Sequence, residues 1–457
     1  MTQTTDATLD PAIRAFVGKA PAVTADLDRD RAAFSAFWSE GAALRGRFPK
    51  KKNRTPAEAA AYKAVADAER QAREWFLGAH VEAVYGTLTG GRRRFVRAEQ
   101  ILDDAAAAFP GLTPTAQTIA ADAGLLSEKD GAEIDQGIFL GHVLAHRACG
   151  HHLLHAMLLP RAEVADLLPK FRETGSIDLG QAVVSRHGKA SILEMRNPRF
   201  LNAMDDSTND PIEIATDLAL LDPQTAICVV RGGRLDHPKY GGRRAFSTGI
   251  NLTLLYQGKL SFMFYVRHLL GFEHKWLRGL ARPDMSPEET TGSTIEKPWI
   301  AAVDAYAIGG GCQHLLVMDY ILAASNAYLT LPARKEGIIP GASNLRLPRF
   351  TGDRIARQAV MYERRIDCDS PEGRLICDEI APPEGMDAAL DTVIDGLTNS
   401  GVVSAVANRR AFRVQQEPLD IFRTYASVYF HEQAYCHFSP ALIANLERYW
   451  DAQNRKV

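Results

Sequence analysis

KPWIAAVDAYAIGGGCQHLLVMDYILAASNAYLTLPARKEGIIPGASNLRLP, residues 297–348, opens on an apolar run at 299–303 bounded by Pro298 and Asp304. A run this short and this apolar suits a buried strand better than a helix. Gly309, Gly310 and Gly311 follow, and then an amphipathic run at 312–320 that reads as a helix. A strand, a glycine turn and a helix start in that order gather free backbone N–H groups and the positive end of a helix dipole at one point, and such a point holds an anion. A turn that simply needs positive φ or close helix–strand packing accounts for the three glycines equally well. They are not a phosphate loop, because no Lys followed by Ser or Thr comes after them and their spacing is not GxGxxG. Three adjacent glycines suit a small oxyanion, such as the enolate oxygen of a thioester, better than a diphosphate.

The rest of the chain frames this segment. At 457 residues it is long enough for more than one domain and a large core. Hydrophobic residues at 46% and charged residues at 24% are ordinary for a soluble globular protein. Lys plus Arg number 53 against 55 Asp plus Glu, so nothing global points to nucleic acid or an anionic membrane. The start, MTQTTDATLDPAIRAF, lacks the basic and apolar stretches of a signal peptide, and no run of 18 or more apolar residues offers a membrane span. Six cysteines, at 149, 228, 312, 368, 377 and 436, have no CxxC pairing, which fits reduced thiols in a cytoplasm.

Residues 1–185 read as a helical domain. Its clearest helix starts at Thr55, with Pro56 in the first turn and Glu58 completing a capping box. The basic cluster at 48–54 reads as a solvated loop, with contact to a ligand phosphate of a neighbouring subunit as the alternative. Histidines at 142, 146, 151, 152 and 155 include pairs four apart, the spacing of two ligands on one helix face, but no HExxH is present and no metal is expected. Residues 186–380 read as a mixed core: VVSRHGKASILEM (183–195) as a strand, RNPRFLNAM as loop and helix start, TAICVVRGG (225–233) as a second strand, RLDHPKYGGRR as a long loop, and 260–280 as an amphipathic helix. Residues 381–457 read as helical again.

Four segments carry a family resemblance. AYAIGGGCQ, LPARKEGIIPGASNLRLPR, LEMRNPRFLNAMD (193–205) and RRAFSTGINL (243–252) together resemble, in order and spacing, the signature of the crotonase (enoyl-CoA hydratase/isomerase) superfamily. The resemblance implies an α/β fold, a crotonase-like ββα spiral core between an N-terminal helical domain and C-terminal helices. It also implies that an acyl-CoA thioester oxygen lies between the backbone N–H groups of Ile250, after Gly249, and Gly310, flanked by Gly309 and Gly311. Losing one such donor typically costs on the order of 100-fold in rate. Hydratases of the family carry glutamates where this chain has Gln313 and Ala333. An amide takes no proton at neutral pH and a methyl takes none at all, so hydration by that pair is excluded.

The combination resembles the branch of cofactor-independent dioxygenases of dihydroxyphenylglycine biosynthesis. That implies an arylacetyl-CoA, of the 3,5-dihydroxyphenyl kind, and O2 as substrates, with no cofactor and no metal, and a homo-oligomer, trimer or dimer of trimers. Thioester hydrolysis, isomerisation or decarboxylation from the same oxyanion pair is the alternative. Arg199, His237, Lys239, Tyr240 and Asn251 are the candidate CoA contacts, with surface positions as the other reading. Arg267 is the candidate for the acyl ring, and Ile338 for a dry oxygen pocket or plain core packing. Gln313 either orients substrate or caps its helix. Where the dioxygenases carry an acidic residue near the end of the LNA motif, this chain has Met204, followed by Asp205 and Asp206. Tyr435, His437 and Asn445 either close a pocket or pack in the core. The base that removes the α-proton is not readable from the residues.

Overall fold

In a computed structural model, describing residues 10–237, 239–288, 293–399 and 402–455, the 299–303 run is a strand with every residue buried. Its apolar side chains face both ways because the sheet around it is covered on both sides, as a mostly parallel sheet requires. The strands in chain order are β1 (Ser176–Asp178), β2 (Ala182–His187), β3 (Ala190–Met195), β4 (Ile227–Gly232), β5 (Trp299–Val303), β6 (Tyr306–Ile308), β7 (Tyr320–Ala324), β8 (Tyr328–Thr330), β9 (Ile366–Asp367) and β10 (Glu379–Ala381). The large sheet has the order β1-β2-β3-β4-β5-β7-β10, and the small one β6-β8-β9. β1, β2 and β3 pair antiparallel, and every further neighbour in the large sheet is parallel.

The chain winds through these layers in ββα turns. β5 is followed by β6 and the helix Gly310–Leu315, and β7 by β8 and the helix Ala333–Glu336. Single parallel bridges, Ser247 to Ala307 and Met204 to Ile250, carry the small layer back to the preceding turns. This is the expected α/β spiral core, with helical regions before and after it.

Three local expectations change. Residues 183–195 form a hairpin, not one strand: His187 pairs with Ala190, and Gly188, at φ 56°, takes the left-handed turn position. The helix after the glycines stops at Leu315, because Asp319 accepts from Trp299 N and Tyr320 already pairs with Ile300. Residues 260–280 are not amphipathic but almost wholly buried, and the helix breaks into Met263–Val266, a π-helical turn Arg267–Glu273 and His274–Arg278. Neighbours cover the side expected to be wet: His274 stacks on Phe422, and Phe262 meets Phe430.

Two apolar cores result. One joins the large sheet to the helices Val164–Thr174, Asp206–Leu221 and Met386–Thr398. The other joins the N-terminal helices, among them Leu27–Arg45, Pro56–Thr89 and Ile134–Ala145, to the C-terminal helices Leu419–His437 and Pro440–Trp450, and it reaches Met204 and Ile250. Thr55 and Glu58 form the expected capping box. Gly137 lets two of these helices meet: a Cβ there would lie 2.3 Å from Ala434 Cβ.

The basic cluster is not a free loop, since Lys51 Nζ donates to Lys129 O at 2.6 Å and Arg54 pairs with Asp130. The five histidines go to separate partners: Glu74, Glu82, Asp420, Tyr85 and the Arg282 carbonyl. The cysteines are free, and among the described residues no helix is long and apolar enough to cross a membrane. Residues 1–9, which carry most of the segment read for a signal peptide, lie outside the described residues.

A buried ion network ties the C-terminal helices to the core. Arg346 donates to Glu417 through Nε at 2.9 Å and Nη2 at 3.0 Å and also pairs with Glu273, while Arg349 reaches Glu417 at 2.6 Å. Burial alone would raise the Glu417 carboxyl, but the guanidinium groups, Arg346 first, hold it down at about 2. Glu417→Gln leaves Arg346 partly unpaired and is expected to cost about 3–5 kcal/mol in urea titration. Because the folded value lies below the ordinary 4.5, the contribution of Glu417 is present above that pH and is lost as pH falls towards 2. The gap between wild type and variant therefore narrows in acid. Thr55→Ala, at the exposed cap, is expected to cost only about 1 kcal/mol in the same titration.

Candidate active site

Two glycine turns from neighbouring ββα units meet at the top of the small layer. Met204 N donates to Gly249 O and Asn251 N donates to Met204 O, each at 2.7 Å. That bridge leaves the intervening Ile250 N–H without an acceptor among the described residues. Gly310 is the first residue of its helix, so its N–H has no intrahelical partner either. The first turn fits only as glycine, and the second is crowded. Gly249 has φ 81°, and a Cβ on it would lie 2.7 Å from Ile308 O and 3.1 Å from Gly310 N. A Cβ on Gly310 would lie 2.5 Å from Met204 Cε and 3.3 Å from His268 Cε1. The helix here is only six residues long, so two main-chain amides, more than a long helix dipole, define the point.

On one side of this point lies a chamber of about 430 Å³, mouth included. Ile250, Gly309, Gly310, Gln313 and Ile338 line it, together with Met204, His268 and Glu336. On the other side a cleft of about 1270 Å³, mouth included, is lined by Arg199, His237, Tyr240 and Asn251, with Lys335 and Arg455 as further cations. Ile250, Pro332 and Glu336 line both spaces. A cleft with cations that meets a mainly apolar chamber at this shared wall, the waist of the cavity, suits a ligand with a long polar, anionic part and a short apolar head.

The anticipated residues divide as follows. His237 stacks on Tyr240 at 5.2 Å, and Lys239 lies over the same ring but does not line the cleft. Asn251 caps the helix Leu252–Tyr256 and donates to Asp205 Oδ2 at 3.1 Å. Gly311 packs against Ser247 and stays off the chamber wall. Arg267 is also off that wall, and His268 is on it, because successive helical residues point about 100° apart. Gln313 makes no helix cap; its amide lies over Gly341, where a Cβ would meet Oε1 at 2.0 Å. Asp205 caps the helix Asp206–Leu221 and Asp206 holds Ser261, so neither turns into the chamber. The C-terminal helices close the space in the same chain: Tyr429 lines the chamber, Tyr449 and Trp450 the cleft. His437 is behind the wall against the Tyr265 hydroxyl at 3.1 Å, Asn445 donates to Arg334 O, and Tyr435 is part-exposed beside His431.

Sequence reasoning looked for carboxylates at 313 and 333 and passed over Glu336. The available signal was its place one helical turn after Ala333, which brings it to the same face. It also missed a buried chain behind Gly310: His314 Nε2 lies 3.2 Å from His268 Nε2, which lies 3.0 Å from Glu273 Oε2, and Glu273 pairs with Arg346. Among the described residues His268, Glu273 and His314 are the group with ligand atoms close enough to share a cation. Arg346 already supplies the positive charge to Glu273, and the spacings are those of hydrogen bonds, so the group reads as a positioning chain for His268. Burial, with His268 next to it, keeps His314 far below the usual imidazole value and hence neutral.

The family description Enoyl-CoA hydratase/isomerase matches residues 188–433. The (3,5-dihydroxyphenyl)acetyl-CoA 1,2-dioxygenase of Amycolatopsis orientalis is 45% identical over 392 residues, 84% of this chain and 88% of that one. A mitochondrial enoyl-CoA hydratase of Pongo abelii is 25% identical over 230 residues, 49% of this chain and 70% of its own. A crystal structure of an enoyl-CoA hydratase from Mycobacterium avium subsp. paratuberculosis K-10 superposes with a TM-score of 0.48 at 17% identity, over 59% of this chain and 98% of that one.

The positioning chain is open to a metal titration. Zinc at about 100 times a dissociation constant would add about 2.7 kcal/mol to a protein that holds it. The melting temperature is expected to stay the same in chelator and in added zinc, and a zinc-dependent rise of several degrees would reassign the trio to a metal.

Proposed function

Because this chain belongs to the enoyl-CoA hydratase/isomerase family, we propose that it binds an acyl-CoA thioester with its carbonyl oxygen between the Ile250 and Gly310 amides. It is a dioxygenase of that family, an oxidoreductase that converts an arylacetyl-CoA of the (3,5-dihydroxyphenyl)acetyl kind and O2 to the arylglyoxylate and free CoA. The relative at 45% identity supports this reaction. The observation that carries the siting is the pair of unpartnered amides at the waist between a cationic cleft and a mainly apolar chamber.

The CoA part lies in the cleft, with Arg199, His237, Tyr240 and the neighbouring Lys239 as its contacts and Arg199 as the phosphate partner. The acyl head enters the chamber. Holding the carbonyl oxygen between two amides lowers the acidity barrier at the α-carbon, and the electron pair released there moves onto that oxygen. Such an enolate is rich enough in electrons to pass one to O2 without metal or flavin. The peroxide formed at the α-carbon attacks the thioester carbonyl and expels CoA. The O–O bond then breaks with loss of the second α-hydrogen, so that both oxygen atoms end in the product. With Gln313 and Ala333 in place of two carboxylates, no pair activates water, and the apolar wall that includes Ile338 keeps water from competing for the intermediate. Met204 is a poor hydrogen-bond partner for a ring hydroxyl, so His268 and Gln313, among the polar groups on the chamber wall, are assigned to the ring. The protein works as a homo-oligomer, a trimer or a dimer of trimers, in a reducing cytoplasm.

Purified, chelated protein given arylacetyl-CoA is expected to take up one O2 per CoA released, read with an oxygen electrode and a thiol reagent. CoA release without oxygen uptake would make it a thioester hydrolase. Gly249→Ala moves the Ile250 amide and is expected to lower turnover by about 100-fold or more, at little change in binding of a CoA thioester.

A further inference from the structure

The scheme above leaves the α-proton without an acceptor, and the waist of the cavity offers one. Resting on that scheme, we propose that the Glu336 carboxylate is the general base: it takes the first proton from the α-carbon while the C–H electron pair moves to the oxygen held by Ile250 and Gly310.

The geometry is specific. A thioester whose CoA arm fills the cleft and whose acyl head fills the chamber puts its carbonyl and α-carbon at the waist. Of the three residues that line both spaces, Ile250 brings the amide, Pro332 brings no titratable group, and Glu336 brings a carboxyl. Glu336 is 8% exposed, yet its side chain has no hydrogen bond or ion pair to any described residue. A buried carboxyl without a partner is costly and calls for an explanation.

Its surroundings maintain that state. Glu336 ends the turn Ala333–Glu336, which Gly337 closes at φ 82°. The helix Pro440–Trp450 packs so tightly on the turn that a Cβ at Gly337 would meet Leu442 Cα at 3.0 Å. The cations beside Glu336 in sequence are drawn elsewhere: Lys335 reaches Glu363 at 2.6 Å and Arg334 reaches it at 3.4 Å. Tyr265 and His268 share the chamber; Tyr265 bonds to His437 and His268 to Glu273. Glu447, on the packing helix, accepts from Tyr256, and Tyr449 stacks under Lys335. No positive charge therefore settles the carboxylate, and burial followed by Glu363 pushes it up to about 7. A carboxyl with that value is half ionised near neutral pH, where a base is most effective.

The test separates proton removal from oxygen chemistry. Under anaerobic conditions in deuterated water, wild type is expected to exchange the α-hydrogens of an arylacetyl-CoA, at a rate that rises with pH through a midpoint near 7. Glu336→Gln is expected to lower exchange at pH 8 by about 100-fold or more and to abolish the inflection, and Glu336→Asp to retain part of the rate. The affinity for a non-exchangeable CoA thioester should not change. A merely structural role predicts the reverse for stability. A raised carboxyl value costs stability as pH rises through it, so Glu336→Gln should melt above wild type at pH 8 and level with it at pH 4. Exchange by Glu336→Gln at the wild-type rate would overturn the assignment and leave the oxyanion scheme standing. Absence of exchange in wild type would overturn the scheme and the assignment together.

Discussion

The close approach of two backbone turns is the constraint the rest of the molecule serves. Gly249 and Gly310 come near enough that a methyl group on Gly249 would strike the backbone of the second turn, and between them two N–H groups are left without acceptors among the described residues. Unpaired buried amides are costly unless something is to be bound there. The ββα winding supplies the cause: consecutive turns of the spiral set their second strands side by side, so the loop after one comes against the loop after the next.

What surrounds that point sorts into a polar and an apolar half. The cleft takes its cations from three separate places in the chain, Arg199, Lys335 and Arg455. The chamber takes its wall from the broken helix 263–278 and from the C-terminal helices. Its π-helical turn brings His268 to the chamber, and the His314–His268–Glu273–Arg346 chain holds it there. Arg346 then continues to Glu417 just before the helix Leu419–His437, so His268 and the C-terminal helices share one buried ion network.

Burial explains why a hydratase-like scaffold can do different chemistry. With Gln313 and Ala333 on the chamber wall, the carboxyl that lines the chamber is Glu336, set one helical turn after Ala333 and without a counter-ion among the described residues. A base without a partnering acid can form an enolate but cannot also deliver water, and an enolate kept dry has O2 as its natural reactant.

The sequence by itself determined the spiral core, the glycine turns at 249 and 309–311, and the capped helix from Thr55, because each depends on local period, turn chemistry or a spaced motif. It also showed which carboxylates are missing. It misread 183–195 and 260–280, where the deciding factor is what packs against the segment: a hairpin partner in one case, a cover of helices from both ends of the chain in the other. Only the tertiary structure brought Glu336 to the waist, put His268 and not Arg267 into the chamber, and folded the C-terminal helices over their own cleft. Those placements come from contacts between residues far apart in the chain, such as Arg346 with Glu417 and Tyr265 with His437, and no local pattern encodes them.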